Sequence, residues 1–156
     1  MNRRALLAYA LAVLVLVLDQ ASKHWILAVF DLPARVSVEV AGPLYLTMVW
    51  NEGVSFGLLR ANHDLVRWAL VGFSLVVSVI LAVWVWRTRA ALTLTALGLV
   101  IGGAVGNAID RARFGAVADF IDVSRLYFPW VFNVADSAIT VGILLLLFDG
   151  LRPQAR

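Results

Sequence analysis

The stretch Phe132-Asn133-Val134-Ala135-Asp136-Ser137 opens a run that continues from Ala138 to Phe148 with hardly a polar residue. That length and polarity predict a membrane-spanning helix over about 132–148. Asp136 then lies inside a membrane helix, below its end. A carboxylate within a span costs roughly 2.5–3.5 kcal/mol on insertion scales, and by default it marks a functional site. Asn133 precedes Asp136 by three residues, which places both side chains on one helical face. What that face meets depends on the rest of the chain.

The 156 residues are 62% hydrophobic and 15% charged, against roughly 45–50% apolar for a soluble domain. The mean hydropathy is +0.90. These values describe an integral membrane protein, one compact bundle over 1–156 with no second domain. The formal charge is +3 with no basic tract, which argues against nucleic acid as a partner and makes the arginines topology signals. No cysteine is present, so disulfides, thiolate nucleophiles and Cys-ligated metal are excluded.

Met1-Asn2-Arg3-Arg4 and the apolar run Ala5 to Leu18 imitate a signal peptide. Small residues do not fall at the cleavage spacing, however, and Asp19-Gln20-Ala21-Ser22-Lys23 follows directly. One uncleaved span over about 5–28 is predicted, with Asp19 and Lys23 at i,i+4, close enough to pair. The alternating segments Val36-Ser37-Val38-Glu39-Val40 and Leu44-Tyr45-Leu46-Thr47-Met48 flank Gly42-Pro43. They predict two strands joined by a turn. Asn51-Glu52-Gly53-Val54-Ser55-Phe56-Gly57 then predicts an irregular, closely packed loop. Further spans follow over 65–86 and 90–109. Gly98, Gly102 and Gly106 recur every fourth residue in the second of these, with Gly103 alongside. Such a stripe lets a neighbouring helix approach closely. The long extramembrane stretches are 31–62 and 112–131.

An even number of spans puts both termini on one side. That side carries Arg3, Arg4, Arg87, Arg89, Arg152 and Arg156 in very short segments. Arg35, Arg60, Arg113 and Arg125 lie in the longer loops among acids. The positive density predicts cytoplasmic termini and places both long loops outside. Trp84 and Trp86 at one face, and Trp68, Tyr127 and Trp130 at the other, fit interfacial belts. At 1.5 Å per residue, Asp19 lies about 21 Å along its helix from Ala5, Asn107 about 24 Å from the start of its own, and Asp136 about 18 Å from Phe148. In a hydrocarbon core of about 30 Å all fall in the outer half. The polar groups of these helices thus share one level, which predicts a single site beneath the loops.

His24 and His63 are isolated and there is no HExxH motif, so no metal or other cofactor is expected. Neither histidine reaches the shared level, so a serine nucleophile lacks a base. Carboxylates remain: Asp19, Asp110, Asp119, Asp122 and Asp136. Two facing carboxylates can hydrolyse an amide, one ionised to take a proton from water and one protonated to donate. At about 4 Å they repel by roughly 4 kcal/mol at an effective dielectric near 20. That separates their titrations by about 3 units and leaves one proton shared near neutral pH. Composition does not pick the pair. Asp19 has Lys23, and Asp110 has the adjacent Arg111 with Asn107 one turn back, so both read also as structural ion pairs. Asp119 and Asp122 read as loop acids or a helix cap, with Phe120 and Ile121 dipping the loop towards the membrane. Intramembrane acids also mark ion paths, but the inner halves of these spans are nearly bare of ionisable groups. Helix glue from Asp19/Lys23 and Asp110/Arg111 alone leaves Asp136 without a purpose.

Several blocks together resemble the lipoprotein signal peptidase (signal peptidase II) family of bacterial aspartic proteases. They are Asp19-Gln20-x-x-Lys23, Asn51-x-Gly53-x-x-Phe56-Gly57, Gly102-Gly103-x-x-Gly106-Asn107-x-x-Asp110-Arg111, Val117-x-Asp119-Phe120 and Phe132-Asn133-x-Ala135-Asp136. The resemblance covers nearly the whole chain, in order. It implies an all-α membrane protein, a four-helix transmembrane bundle with a small extracytoplasmic β-sheet cradle and a second outer loop. It implies Asp119 and Asp136 as the catalytic dyad, with Asp19, Lys23, Asn51, Gly53, Asn107, Arg111 and Asn133 lining or bracing the site. The implied substrate is a diacylglyceryl-modified prolipoprotein in the bacterial cytoplasmic membrane, cut just before its lipidated cysteine. The phospholipid bilayer is the other partner, and a single bundle gives no reason to expect more than a monomer.

Overall fold

The computed structural model describes residues 3–53, 63–126 and 128–152. Phe56 and Gly57 of the second block, with Ser55, Arg60, Tyr127 and Arg156, lie outside the described residues. Helix α1 (Arg3–His24) runs on into a wide π-type turn over Trp25–Val29. A short helix α2 (Leu32–Arg35) leads to strands β1 (Ser37–Ala41) and β2 (Leu44–Asn51). Helices α3 (His63–Arg87) and α4 (Ala91–Phe114) follow. Strands β3 (Val117–Asp122) and β4 (Val131–Phe132) come next, and α5 (Val134–Leu151) closes the fold. Four of these helices are long and apolar enough to cross a membrane.

Helix α4 is the hub, packed against α1, α3 and α5. Its apolar window is 67% buried, against 17–28% for the other three. The sequence explains the asymmetry. Large side chains on α3 and α5, among them Phe73, Val79, Leu144 and Leu147, face outward, as lipid contact requires. The α4 stripe instead has no side chains to hold its neighbours off. A Cβ on Gly106 would stand 2.5 Å from Asp19 Oδ2, so only glycine admits that carboxylate against the α4 backbone. Ala5, Ala8, Val85, Leu94 and Leu97 form the core at the end nearer the termini.

The other end carries an antiparallel sheet in the order β1-β2-β3-β4. The β1–β2 hairpin forms where the alternation predicts it, turning at Gly42-Pro43. β3 departs from the expected loop. Val117 to Asp122 is a strand between β2 and β4, because Phe120 inserts beneath it into a cluster with Ile26 and Leu32. A buried backbone there needs ladder partners, and the sheet supplies them. α4 also outruns its predicted end at 109, reaching Phe114, so Asp110 and Arg111 are helical and not terminal.

Candidate active site

The site lies where β2, β3, α4 and the start of α5 meet, and each element brings its side chain there for a local reason. In the β2–β3 register Asn51 stands opposite Val117 and Val49 opposite Asp119. Asn51 and Asp119 are therefore diagonal neighbours on one sheet face, and Asn51 Nδ2 donates to Asp119 Oδ2 at 3.0 Å. Asp119 is 2% exposed. Burial pushes its carboxyl up to about 6; the Asn51 donor works against that rise, and the charge of Asp136 adds to it. Asp122, three residues along the same strand, behaves oppositely. The Thr47 hydroxyl, at 2.6 Å, and the Ser124 amide hold it below the usual carboxylate range.

The start of α5 has free backbone N–H groups that need acceptors, and three residues of the expected site are engaged in meeting that need. Ala135 N donates to Asp19 Oδ1 from α1 at 3.0 Å. Asp136 N donates to Asn133 Oδ1 at 2.9 Å, and Asn133 N donates back to Asp136 Oδ2 at 3.3 Å, a capping box. Asn133 and Asp136 are thus cap and third residue, not two positions on a helical face as their spacing suggests. The Asn133 side chain is fully buried, and its Nδ2 also donates to Asp119 Oδ1 at 2.7 Å. One asparagine therefore touches both carboxylates.

Behind them stands a polar brace. Asn107 Nδ2 donates to Asp136 Oδ1 at 2.8 Å, and Asn107 Oδ1 accepts from Lys23 Nζ at 3.2 Å. Lys23 lies between two carboxylates, Asp19 at 2.8 Å and Asp110 at 2.7 Å. The Asp19–Lys23 pair forms as its spacing predicts. Asp110, however, pairs with Lys23 and not with the adjacent Arg111, because successive helical residues face different ways. Arg111 points to the other side, where its guanidinium feels the charges of Asp136, Asp119 and Asp110. Gly53, at φ +79, fits against it: an added Cβ would lie 3.4 Å from Arg111 Nη2 and 2.7 Å from Leu70 Cδ1.

All the residues expected at the site are thus brought together. Three others join them: Asp110, one of the five candidate carboxylates, and Gln20 and Arg67, which were not expected at the site. Asp110 Oδ2 accepts the Ala118 N–H at 3.2 Å, which holds the strand just before Asp119. Gln20 donates to Asp110 Oδ1 at 3.0 Å and to Asp19 Oδ2 at 3.2 Å; its place beside Asp19 in the first block was the available signal. Arg67 of α3 caps the end of α4, donating to the carbonyls of Arg111 at 2.7 Å and Ala112 at 2.6 Å. Nothing local to Arg67 announces that contact. Two carboxylates tied to one asparagine, with further amide donors and one guanidinium nearby, are the kind of group set that acid–base chemistry on an amide needs.

The signal peptidase (SPase) II family matches residues 11–152. A lipoprotein signal peptidase of Caulobacter vibrioides is 54% identical over 149 residues, covering 95% of this chain and 88% of that one. One from Methylobacterium sp. strain 4-46 is 44% identical over 155 residues, covering 99% and 94%. A solved structure described as a bacterial membrane enzyme superposes with a TM-score of 0.80 at 28% identity, covering 94% of each chain.

Proposed function

The chain belongs to the signal peptidase II family of aspartic peptidases, and we propose that it removes signal peptides from prolipoproteins with Asp119 and Asp136 as its acid–base pair. The substrate in this reading carries diacylglycerol on its lipobox cysteine, and the amide just before that cysteine is cut. Asp136 accepts a proton from water while the water oxygen attacks the carbonyl carbon; Asp119 gives its proton to the carbonyl oxygen. The tetrahedral adduct then collapses as Asp136 passes its proton to the departing amine and Asp119 takes one back from an adduct hydroxyl, which restores both groups. Asp119 is assigned the acid because burial favours its neutral form. Asp136 is assigned the base because its carboxylate lies in the first turn of α5, where the helix dipole favours negative charge.

The observation that carries the reading is the double reach of Asn133, to Asp119 at 2.7 Å and to Asp136 through paired backbone bonds. Such a bridge fixes the separation of the carboxylates before substrate arrives. The termini are cytoplasmic on the arginine distribution and the sheet faces the outer side, where a lipid-anchored substrate presents its scissile bond. The test uses purified protein and a diacylglyceryl prolipoprotein. Asp119→Asn and Asp136→Asn should each abolish cleavage while the protein stays membrane-inserted, and an unlipidated peptide should not be cut. Wild-type turnover by both variants would end the dyad assignment.

A further inference from the structure

Between the sheet-side ends of α1 and α4 lies a groove of about 220 Å³, lined by His24, Leu27, Arg113 and Phe114, with Lys23 and Asp110 in its floor. It is separate from the aspartate pair. Arg113 follows Arg111 by two residues, about 200° around α4, so the groove opens behind the site. Its depth is set by helix length. His24 lies about 32 Å along α1 from Arg3, and Arg113 about 33 Å along α4 from Ala91. Against a hydrocarbon core of about 30 Å, both stand at the headgroup level of the sheet-side leaflet.

The charges in the groove are not equivalent. Lys23 is outnumbered by Asp19 at 2.8 Å and Asp110 at 2.7 Å, so this ion group offers the groove no net positive charge and leaves the attraction of an anion to Arg113. Arg113 has a different setting: its guanidinium lies over the Phe114 ring at 4.9 Å, and it makes no ion pair among the described residues. The His24 imidazole likewise makes no hydrogen bond among the described residues, and both side chains are exposed. An unneutralised guanidinium presents a planar fork of donors that matches phosphate oxygens. Leu27 and Phe114 beside it offer apolar walls of the kind a glycerol backbone and the first acyl carbons would meet.

We propose that this groove binds the phosphate headgroup of an anionic membrane phospholipid, held by Arg113 with His24 beside it. The inference does not depend on which aspartates react. Occupancy would sit directly over Lys23 and Asp110, the ion group that holds Asn107 and the Ala118 amide, so the lipid would close the outer flank of the brace.

The test counts phosphatidylglycerol retained by the full chain after detergent exchange, by native mass spectrometry. Wild type and Arg89→Gln, whose arginine lies at the opposite end, should retain it equally. Arg113→Gln should retain it about fivefold less well, the scale of one basic residue at an anionic surface. Arg113→Lys keeps the charge but loses the planar fork, and should recover only part of the difference. Phosphatidylcholine, with a compensating cation on the same phosphodiester, and inorganic phosphate at equal concentration should be held more weakly than phosphatidylglycerol. Equal retention by wild type and Arg113→Gln would overturn the proposal, as would an equal loss in Arg89→Gln. Binding of inorganic phosphate as tight as that of the lipid would overturn the lipid as occupant.

Discussion

Asn133 and Asp136 cap one another: the Asp136 N–H donates to Asn133 Oδ1 at 2.9 Å, and the Asn133 N–H donates to Asp136 Oδ2 at 3.3 Å. The asparagine amide left over reaches Asp119 Oδ1 at 2.7 Å. Capping a helix and bridging the carboxylates are separable tasks, because serine can do the first and is too short for the second. Asn133→Ser should therefore keep the cap, losing about 1–3 kcal/mol from the buried partners of its missing amide, while lowering kcat about 100-fold, the scale of a misplaced reacting group. Asn133→Ala should lose the same activity and, without the cap, about 1 kcal/mol more than Asn133→Ser. If Asn133→Ser cleaved a lipidated substrate at the wild-type rate, the amide bridge would have no part in catalysis.

The pH profile tests the acid. Burial holds Asp119 near 6, so the free enzyme loses this proton as pH rises through that value. With Asp119 as proton donor, kcat/KM should fall about tenfold per unit above it. The Asn51 donor stabilises the charged carboxylate and so lowers its pKa. Removing that donor destabilises the charged form, and Asn51→Ala should move the alkaline limb to higher pH even as peak activity falls. Profiles of kcat/KM between about pH 5 and 9 read this directly. A limb that stays in place would assign the proton to another group.

Close approach of α1 to α4 depends on one missing side chain at Gly106. A Cβ there would stand 2.5 Å from Asp19 Oδ2 and 3.2 Å from its Cγ. Gly106→Ala must push Asp19 away from Lys23 and from the Ala135 amide it caps. The expected loss is about 1–3 kcal/mol, as for other overpacked cores, with reduced cleavage because α5 starts from that cap. Gly72→Ala on α3, where nothing lies within 4 Å, is the control and should be neutral or slightly stabilising. Thermal unfolding in detergent compares the two.

What was legible in the sequence follows from how far each signal acts. The spans and the first hairpin are local patterns of hydrophobicity and alternation: four long apolar helices and the hairpin formed, with α4 running past its expected end. Asp19 and Lys23 paired because i,i+4 contacts belong to the helix itself. β3 was not legible, since Val117-Ala118-Asp119 becomes a strand through pairing with β2, some seventy residues earlier. The Asp110–Lys23 bond and the hold of Arg67 on α4 are also tertiary, joining helices whose facing cannot be read from either one alone. The site residues could be gathered from family blocks, but their wiring could not. Asp110 is the instructive case. Its neighbour Arg111 suggested an ion pair, whereas the fold turns the two side chains to different partners.

Lys23 is the junction of that wiring, and its removal gives the sharpest energetic test. Its ammonium lies between Asp19 at 2.8 Å and Asp110 at 2.7 Å, all three being nearly or fully buried. A buried ion group contributes little over a well-packed apolar replacement, but removing one partner leaves uncompensated charge. Lys23→Met keeps the length of the side chain and strands two carboxylates, so a loss of about 3–5 kcal/mol is expected. Asp110→Asn leaves Lys23 its bond to Asp19 and keeps an acceptor for the Ala118 amide, so it should lose about 1 kcal/mol. In the double variant one of the stranded charges is gone, and stability should lie above that of Lys23→Met alone. Such a reversal is the signature of coupling between buried charges. Strictly additive losses would mean that Lys23 and Asp110 act independently, and that the path from Lys23 to the Asp119 strand carries no energy.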